Sequence, residues 1–180
     1  MRLLELTLSD FGVYRGSHTF DLRTRSGPIV VFGGKNGSGK TTLLEAIRLC
    51  LYGSGALGRK TTQRDYEAYI ESRIHRLPGG IVPLGCTSVR LAFEYAQFGV
   101  KHEYEVERSW SKRPSGVAEK LLIKKDKAIL TGMAEERWPD FLQDLIPLSL
   151  ADLFFFDGEK IQALATDNIG DHALGEATKQ

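Results

Sequence analysis

The chain has 180 residues, which is the size of one domain and enough to bury a substantial core. Its 24 Lys and Arg residues nearly balance 23 Asp and Glu residues, so the net charge of +1 gives no argument for nucleic-acid binding, and any basic patch must be local. No apolar run reaches transmembrane length, and charge interrupts the first residues too early for a signal peptide, so we expect a cytoplasmic protein with no membrane partner. Cys50 and Cys86 have no CxxC partner, and we expect two reduced core thiols and no zinc site.

Three short strands are predicted in the first part of the chain. Leucines alternate with polar residues over residues 2–8, and a turn at residues 10–12 separates this strand from a second one over residues 17–22. Residues 28–32 form a short, apolar, β-branched run that predicts a buried strand.

A glycine-rich loop follows this third strand and fits the phosphate-binding pattern G-x-x-x-x-G-K-S/T without a mismatch. Its glycines allow backbone conformations that a Cβ forbids, so successive N–H groups can turn inward around a phosphate. Helical spacing of apolar residues then predicts a helix from Lys40 to about Tyr52 that stops at Gly53, and its N-terminus adds free N–H groups and the positive end of the helix dipole. The candidate nucleotide-binding residues in the loop are Gly34, Asn36, Gly37, Ser38, Gly39, Lys40, Thr41 and Thr42.

The residue types in this loop indicate its ligands. Lys40 is predicted to reach the β- and γ-phosphates of ATP, and the Thr41 hydroxyl is predicted to ligate Mg²⁺. The alternative is a glycine-rich strand-to-helix turn with an incidental lysine. The number of fixed positions met at once favours nucleotide binding.

The segment over residues 58–76 is locally basic and predicted to be helical. Tyr66, Tyr69, Ile70 and Ile74 recur at helical spacing and form one apolar face. Its basic side chains fit a solvated helix face with a few ion pairs at least as well as a nucleic-acid contact.

An antiparallel hairpin is predicted around residues 97–99, because apolar and polar residues alternate on both sides of that turn. A third strand is predicted at residues 120–124. The most basic stretches of the chain, residues 112–113 and 124–127, flank that strand. Lysines in such places contact DNA phosphates or protect an exposed sheet edge from aggregation, and both interpretations stay open.

The last part of the chain contains one more helical region and an apolar run. Thr131 is placed to cap a helix whose apolar face includes Trp138, and Pro139 is a possible start for a fresh helix. The run over residues 153–156 meets a carboxylate at Asp157. From residue 163 the sequence is acidic and short of large apolar residues, so it is predicted to be loosely ordered.

Several of these stretches together resemble the SMC-like ABC ATPases that act on DNA ends and repair intermediates. They are the loop Gly-Lys-Asn-Gly-Ser-Gly-Lys-Thr-Thr, the preceding residues 4–16 with Phe-Gly-Val-Tyr-Arg, and Leu-Tyr-Gly at residues 51–53. Phe-Phe-Phe-Asp-Gly-Glu-Lys-Ile at residues 154–161, with Tyr69 and residues 74–76, is similar to the DndD-type ATPases of bacterial DNA phosphorothioation systems. The resemblance covers residues 1–165 and implies an α/β fold of the P-loop NTPase, ABC/SMC-like type, in which an N-terminal lobe has a mixed sheet and an antiparallel β-hairpin region.

This resemblance implies an ATPase that uses Mg²⁺ and couples ATP to conformational change on DNA, in phosphorothioate modification or linked restriction. It also implies that Arg15 is a further phosphate or nucleotide contact. In the wider family a glutamine bridges Mg²⁺ and the attacking water, and Asp157 stands at the matching place, where a carboxylate is suited to Mg²⁺. Glu159 or Gln162 takes that role if the register differs, and a simple Asp-Gly turn remains the alternative.

The sequence departs from the full ABC pattern because it has neither a Walker B motif nor a Leu-Ser-Gly-Gly signature. By resemblance, residues 1–165 are the N-terminal half of a head, and residues 166–180 are an acidic tail leading toward a coiled coil outside this sequence. The implied partners are DNA, the C-terminal half of the same head, a second head in a homodimer and other phosphorothioation proteins. We expect this chain alone to bind ATP weakly and to hydrolyse it slowly or not at all.

Two other functions stay open at the level of sequence. One is a P-loop phosphotransferase of a small molecule, with residues 59–76 as an arginine-rich lid. Two predicted strands precede the loop, whereas many small kinases start directly with the strand before it. The other is a non-catalytic DNA-binding scaffold, for which DNA binding is steeply salt-dependent and independent of ATP.

Overall fold

The computed structural model describes residues 1–24, 29–58, 60–75 and 85–148. Its framework is a six-stranded sheet in the order β2-β1-β3-β4-β5-β6, and each described pairing is antiparallel. The strands are β1 (Arg2–Phe11), β2 (Tyr14–Asp21), β3 (Cys86–Gln97), β4 (Val100–Arg113), β5 (Gly116–Lys125) and β6 (Ala128–Ile129).

Three α-helices and two short 3-10 helices accompany this sheet. The α-helices are α1 (Lys40–Tyr52), α2 (Gln63–Arg73) and α3 (Trp138–Leu145), and the 3-10 helices cover Gly53–Leu57 and Glu135–Arg137. Helix α1 packs on β3, β4 and α3, while α2 packs on β5. The core lies between α1 and the sheet.

Alternation along the strands produces this core. On the helix side, Leu91 is paired with Leu6 of β1 and with Val106 of β4, and all three are buried. The opposite face of the same strands is polar, where Thr7 lies across from Thr19 of β2 and from Arg90 of β3. A period of two therefore places one row against the helices and leaves the other row to polar contacts.

A buried arginine on the helix-facing side of the sheet links α1 to β4 and β5. The Arg108 side chain on β4 donates from Nε to the Cys50 carbonyl near the end of α1 (3.1 Å) and pairs through Nη1 with Glu119 of β5. The Glu119 carboxylate also accepts hydrogen bonds from the Tyr66 hydroxyl and from Trp110 Nε1. Because Arg108 is only 3% exposed, these partners offset the cost of removing its charge from water.

The predicted α/β class and the antiparallel hairpin region are confirmed. Helix α1 has the predicted bounds and stops at Gly53, which adopts a positive φ of 53°. The parallel pairing that a mixed sheet requires is not found among the described residues.

The predicted buried strand before the glycine-rich loop is wrong for the part of it that the structure describes. Residues 29–35 have no regular secondary structure, and Ile29 and Val31 are 75% and 82% exposed. Only Phe32 has a described aromatic neighbour, Phe20 of β2, with ring centroids 5.9 Å apart. An apolar run becomes a buried strand only when other strands or helices cover it, and no described strand pairs with this one.

Two further expectations need correction. No helix begins at Thr131; α3 begins at Trp138 after the short 3-10 turn, with Pro139 in its first turn, close to the alternative start predicted at Pro139. Proline fits there because a first-turn N–H has no helical acceptor. Cys50 is a buried thiol as predicted, but Cys86 is exposed because it lies at the start of β3.

Candidate nucleotide site

The glycine-rich loop joins the irregular residues 29–35 to the N-terminus of α1. Gly37 and Gly39 have φ values of 78° and 97°, in the left-handed region that residues with a Cβ rarely enter. Gly34 differs from these two, because a Cβ there would overlap the Ser38 hydroxyl and force that side chain to move. The glycine pattern of the motif therefore corresponds to backbone conditions in the folded loop.

Lys40 folds back over this loop. Its Nζ donates hydrogen bonds to the carbonyl oxygens of Gly34 (2.8 Å) and Lys35 (3.0 Å), while the side chain remains exposed. The ammonium group is thus held at the loop, where it can attract phosphate oxygens.

The two threonines after Lys40 have different environments. Thr41 is exposed in the first turn of α1, so its hydroxyl is accessible to a metal ion beside a bound phosphate. Thr42 is 9% exposed, and its methyl group lies under Gly12 in the turn between β1 and β2. Asn36 and Ser38 are exposed, and the Ser38 N–H donates to the Lys35 carbonyl (3.1 Å).

The turn between β1 and β2 covers the buried end of the loop. A Cβ on Gly39 would lie 2.7 Å from Val13 Cγ2 and 2.7 Å from the Tyr14 hydroxyl. That hydroxyl donates to the Gly39 carbonyl (3.3 Å), and burial raises the pKa of Tyr14. Sequence reasoning assigned no role to these residues, although they lie within the stretch that carries the family resemblance.

Arg15 follows Tyr14 and is exposed on β2. Its described hydrogen bond is through the backbone, because its carbonyl accepts from His18 Nε2 (2.8 Å). The structure therefore brings Tyr14 to the loop and leaves the Arg15 side chain in solvent, two residues from Val13. Its contact with a nucleotide stays a prediction.

The water-positioning candidates Asp157, Glu159 and Gln162 lie outside the described residues. Among the residues that are described, no group of three or more His, Cys, Asp or Glu side chains could hold a metal ion. Thr41 is thus the metal-ligand candidate that lies within the described residues. A hydroxyl in the first helical turn fits Mg²⁺, which accepts few protein ligands and fills its shell with phosphate oxygens and water.

The lysine-rich stretches do not form one basic surface. Residues 112–113 lie at the turn from β4 to β5, whereas residues 124–127 lie at the opposite end of β5, about 27 Å away at 3.4 Å per residue. Lys112 pairs with Glu71 (3.0 Å), and Lys124 pairs with Glu105 (2.7 Å). The ion pairs support the interpretation of these two lysines as solvated surface charges.

Within the described part of the chain, no helix is both long and apolar enough to cross a membrane.

Comparison with known proteins identifies the family of this chain. A model of the AAA domain, AAA_23, matches residues 5–172. The chain belongs to this AAA domain family. A solved structure from work on ATP-driven dimerization and DNA-stimulated activation of SMC ATPases superposes with a TM-score of 0.52, covering 93% of this chain and 99% of that chain at 16% identity. This AAA domain therefore has the fold of an SMC-type ATPase head.

One curated relative is similar over a shorter stretch. A nuclease SbcCD subunit of Treponema pallidum (strain Nichols) is 51% identical over 53 residues, which is 29% of this chain. The chain spans about 5% of the length of that protein.

Proposed function

We propose that this AAA domain is the ATP-binding half of an SMC-like ATPase head that acts on DNA in the cytoplasm. One observation carries the proposal: the loop has left-handed Gly37 and Gly39 at the start of α1, with the Lys40 ammonium held over it. These features support a cradle for the phosphates of a nucleotide.

Each residue of the cradle has a proposed role. The loop amides and Lys40 bind the phosphates of ATP, and Thr41 ligates Mg²⁺, which neutralises charge on the transferred phosphoryl group when it is bound. Arg15 makes a further contact to the nucleotide, and Asp157 contacts the metal or the attacking water, with Glu159 or Gln162 as alternatives.

The site is proposed to hydrolyse ATP only together with residues outside this sequence. The exposed apolar side chains at residues 29–32 support this view, because a soluble domain rarely leaves several neighbouring large apolar groups in water. We propose that the C-terminal half of the same head covers them and supplies Walker B and signature residues, and that a second head completes a homodimer. The segment over residues 166–180 leads toward the coiled coil between the two halves.

An ATPase is favoured over a small-molecule phosphotransferase by two features of the fold. Strands β1 and β2 precede the loop, whereas many small kinases start directly with the strand before it. Arg73, in the segment that would form an arginine-rich lid, is paired with Glu45 of α1 at 2.9 Å and is thus held in place. A non-catalytic DNA-binding scaffold remains the alternative, and DNA binding with and without ATP over a salt series separates the two.

The hydrolysis experiment compares this chain with the complete head that the proposal implies, referred to as the full-length protein. We expect the chain to turn over ATP slowly or not at all, and the full-length protein to hydrolyse ATP in a Mg²⁺-dependent way. Lys40→Ala should abolish that activity, whereas Lys101→Ala, at an exposed position of β4, should not. Fast turnover by residues 1–180 that Lys40→Ala abolishes would contradict the half-head model.

The finer proposal is a role in DNA phosphorothioate modification or linked restriction, with other proteins of that system as partners. It is supported by the similarity of residues 154–161 to the DndD-type ATPases. The second candidate is a role within a DNA nuclease, which the similarity to the SbcCD protein over 53 residues favours. Mass spectrometry of digested DNA distinguishes them: phosphorothioate linkages present with the intact protein and lost with Lys40→Ala support the first, and unchanged or absent linkages contradict it.

A further inference from the structure

The C-terminal end of α2 is hydrogen-bonded to the turn between β1 and β2. The Gly12 N–H donates to the Arg73 carbonyl (2.6 Å), and the His75 N–H donates to the Asp10 carbonyl (2.8 Å). The His75 ring adds a third bond between Nδ1 and the Gly12 carbonyl oxygen at 2.9 Å. Since a carbonyl oxygen only accepts, Nδ1 carries the proton in this bond. The backbone N–H and the carbonyl of Gly12 are therefore both hydrogen-bonded to residues at or just after the end of α2.

The same turn lies directly on the candidate nucleotide site. Gly12 packs on Thr42, where a Cβ on Gly12 would come within 2.8 Å of the threonine methyl. Val13 and Tyr14 close over Gly39, the last glycine before α1, and Arg15 continues the same strand. A shift of this turn would change both the cover over the phosphate loop and the place from which Arg15 extends.

A second link connects α2 with α1 below the loop. Arg73 Nη2 bonds both carboxylate oxygens of Glu45 at 3.0 and 2.9 Å, and its guanidinium lies over the Tyr69 ring at 4.8 Å. Glu45 lies less than two turns into α1, so α2 is fixed both to the turn and to the helix that begins with the loop. The relative position of turn and loop is thus set through α2.

We propose that His75 is a positioning residue for nucleotide binding. Its ring holds the Gly12 carbonyl, which keeps the turn against Gly39 and Thr42 and so keeps the phosphate loop in its binding conformation. His75 acts through the turn and touches no ligand. The inference rests on the proposed function, because it concerns the affinity of the same site for MgATP.

The test measures MgATP affinity of the full chain in three variants. His75→Ala removes the Nδ1 donor and should weaken MgATP binding about fivefold, the size expected for one neutral hydrogen bond. His75→Asn presents an amide N–H near the position of Nδ1 and should restore binding to about twofold of the wild-type value. The matched control is His102→Ala on β4, which removes a ring bonded to Asp126 (2.8 Å) after β5 and should leave affinity unchanged.

Hydrogen exchange without nucleotide separates a local loosening of the turn and loop from a general loss of stability, because a general loss would also speed exchange in β4. In His75→Ala the amides of Gly12 and Leu43, which donate to the Arg73 and Gly39 carbonyls, should exchange faster, whereas those of β4 should keep the wild-type rate. Unchanged affinity in His75→Ala, or an Asn variant that binds no better than the Ala variant, would overturn the positioning role while leaving the proposed function intact. Failure of the wild-type chain to bind MgATP would overturn both.

Discussion

Gly39→Ala tests whether the turn between β1 and β2 is packed against the phosphate loop. Two costs act at this position. A residue with a Cβ in the left-handed region costs about 1–2 kcal/mol, and the new methyl would also lie within 2.7 Å of Val13 and of the Tyr14 hydroxyl. Overpacking of this kind costs about 1–3 kcal/mol. We therefore expect Gly39→Ala to lower the free energy of unfolding by about 2–5 kcal/mol.

Gly37→Ala is the matched control in the same loop. Gly37 also has a positive φ, 78°, but a Cβ there would meet nothing within 4 Å. Its expected cost is the backbone cost alone, about 1–2 kcal/mol. Urea unfolding without nucleotide measures both values. Adding Val13→Ala removes one of the overlapping groups and should recover part of the loss in Gly39→Ala. Equal destabilisation by the two glycine substitutions would refute the packing of the turn on the loop.

Three other predictions test the surrounding fold. Burial raises the pKa of Cys50 to about 12, so at pH 8 a thiol reagent should label only the exposed Cys86 in the folded protein and both thiols after unfolding. The stability that the protonated Cys50 thiol contributes is complete below its ordinary pKa and is lost as the pH rises toward 12. Arg108→Met should lower the free energy of unfolding by about 3–5 kcal/mol, since it leaves a half-buried carboxylate without its charged partner, whereas Lys112→Met should cost about 0–1 kcal/mol; equal losses would contradict the difference in burial. Phe98, at the turn from β3 to β4, is 98% exposed with φ 51°, so Phe98→Asn should stabilise the protein by about 0.5–1 kcal/mol in urea unfolding, and a decrease would contradict the assigned turn geometry.

The features that the sequence predicts well are those set by local pattern. The glycine spacing predicts the loop, and the structure shows why: two glycines have left-handed φ values, and Gly34 lies against Ser38. Helix α1 ends where the sequence predicts, because Gly53 alone can take the backbone conformation that stops it. Alternation of apolar and polar residues predicts the β3–β4 hairpin, because this pattern is also local and lies within a few residues of the turn.

The features that the sequence does not predict depend on distant neighbours. His75 contacts Gly12 across 63 positions, and neither residue carries a periodic or motif signal for that contact. Residues 29–32 have strand propensity, yet the described fold provides no strand beside them, so tertiary context decides against propensity. The sequence leaves open whether the two basic stretches at residues 112–113 and 124–127 act together, and the length of β5 separates them in the fold.

The loop from Gly34 to Thr42 is proposed to bind the phosphates of ATP through Lys40. Isothermal titration of the full chain with ATP and Mg²⁺ tests it most directly. We expect one binding site per chain that Lys40→Ala removes and that Lys101→Ala preserves. No binding by the wild-type chain, or equal binding by Lys40→Ala, would contradict it.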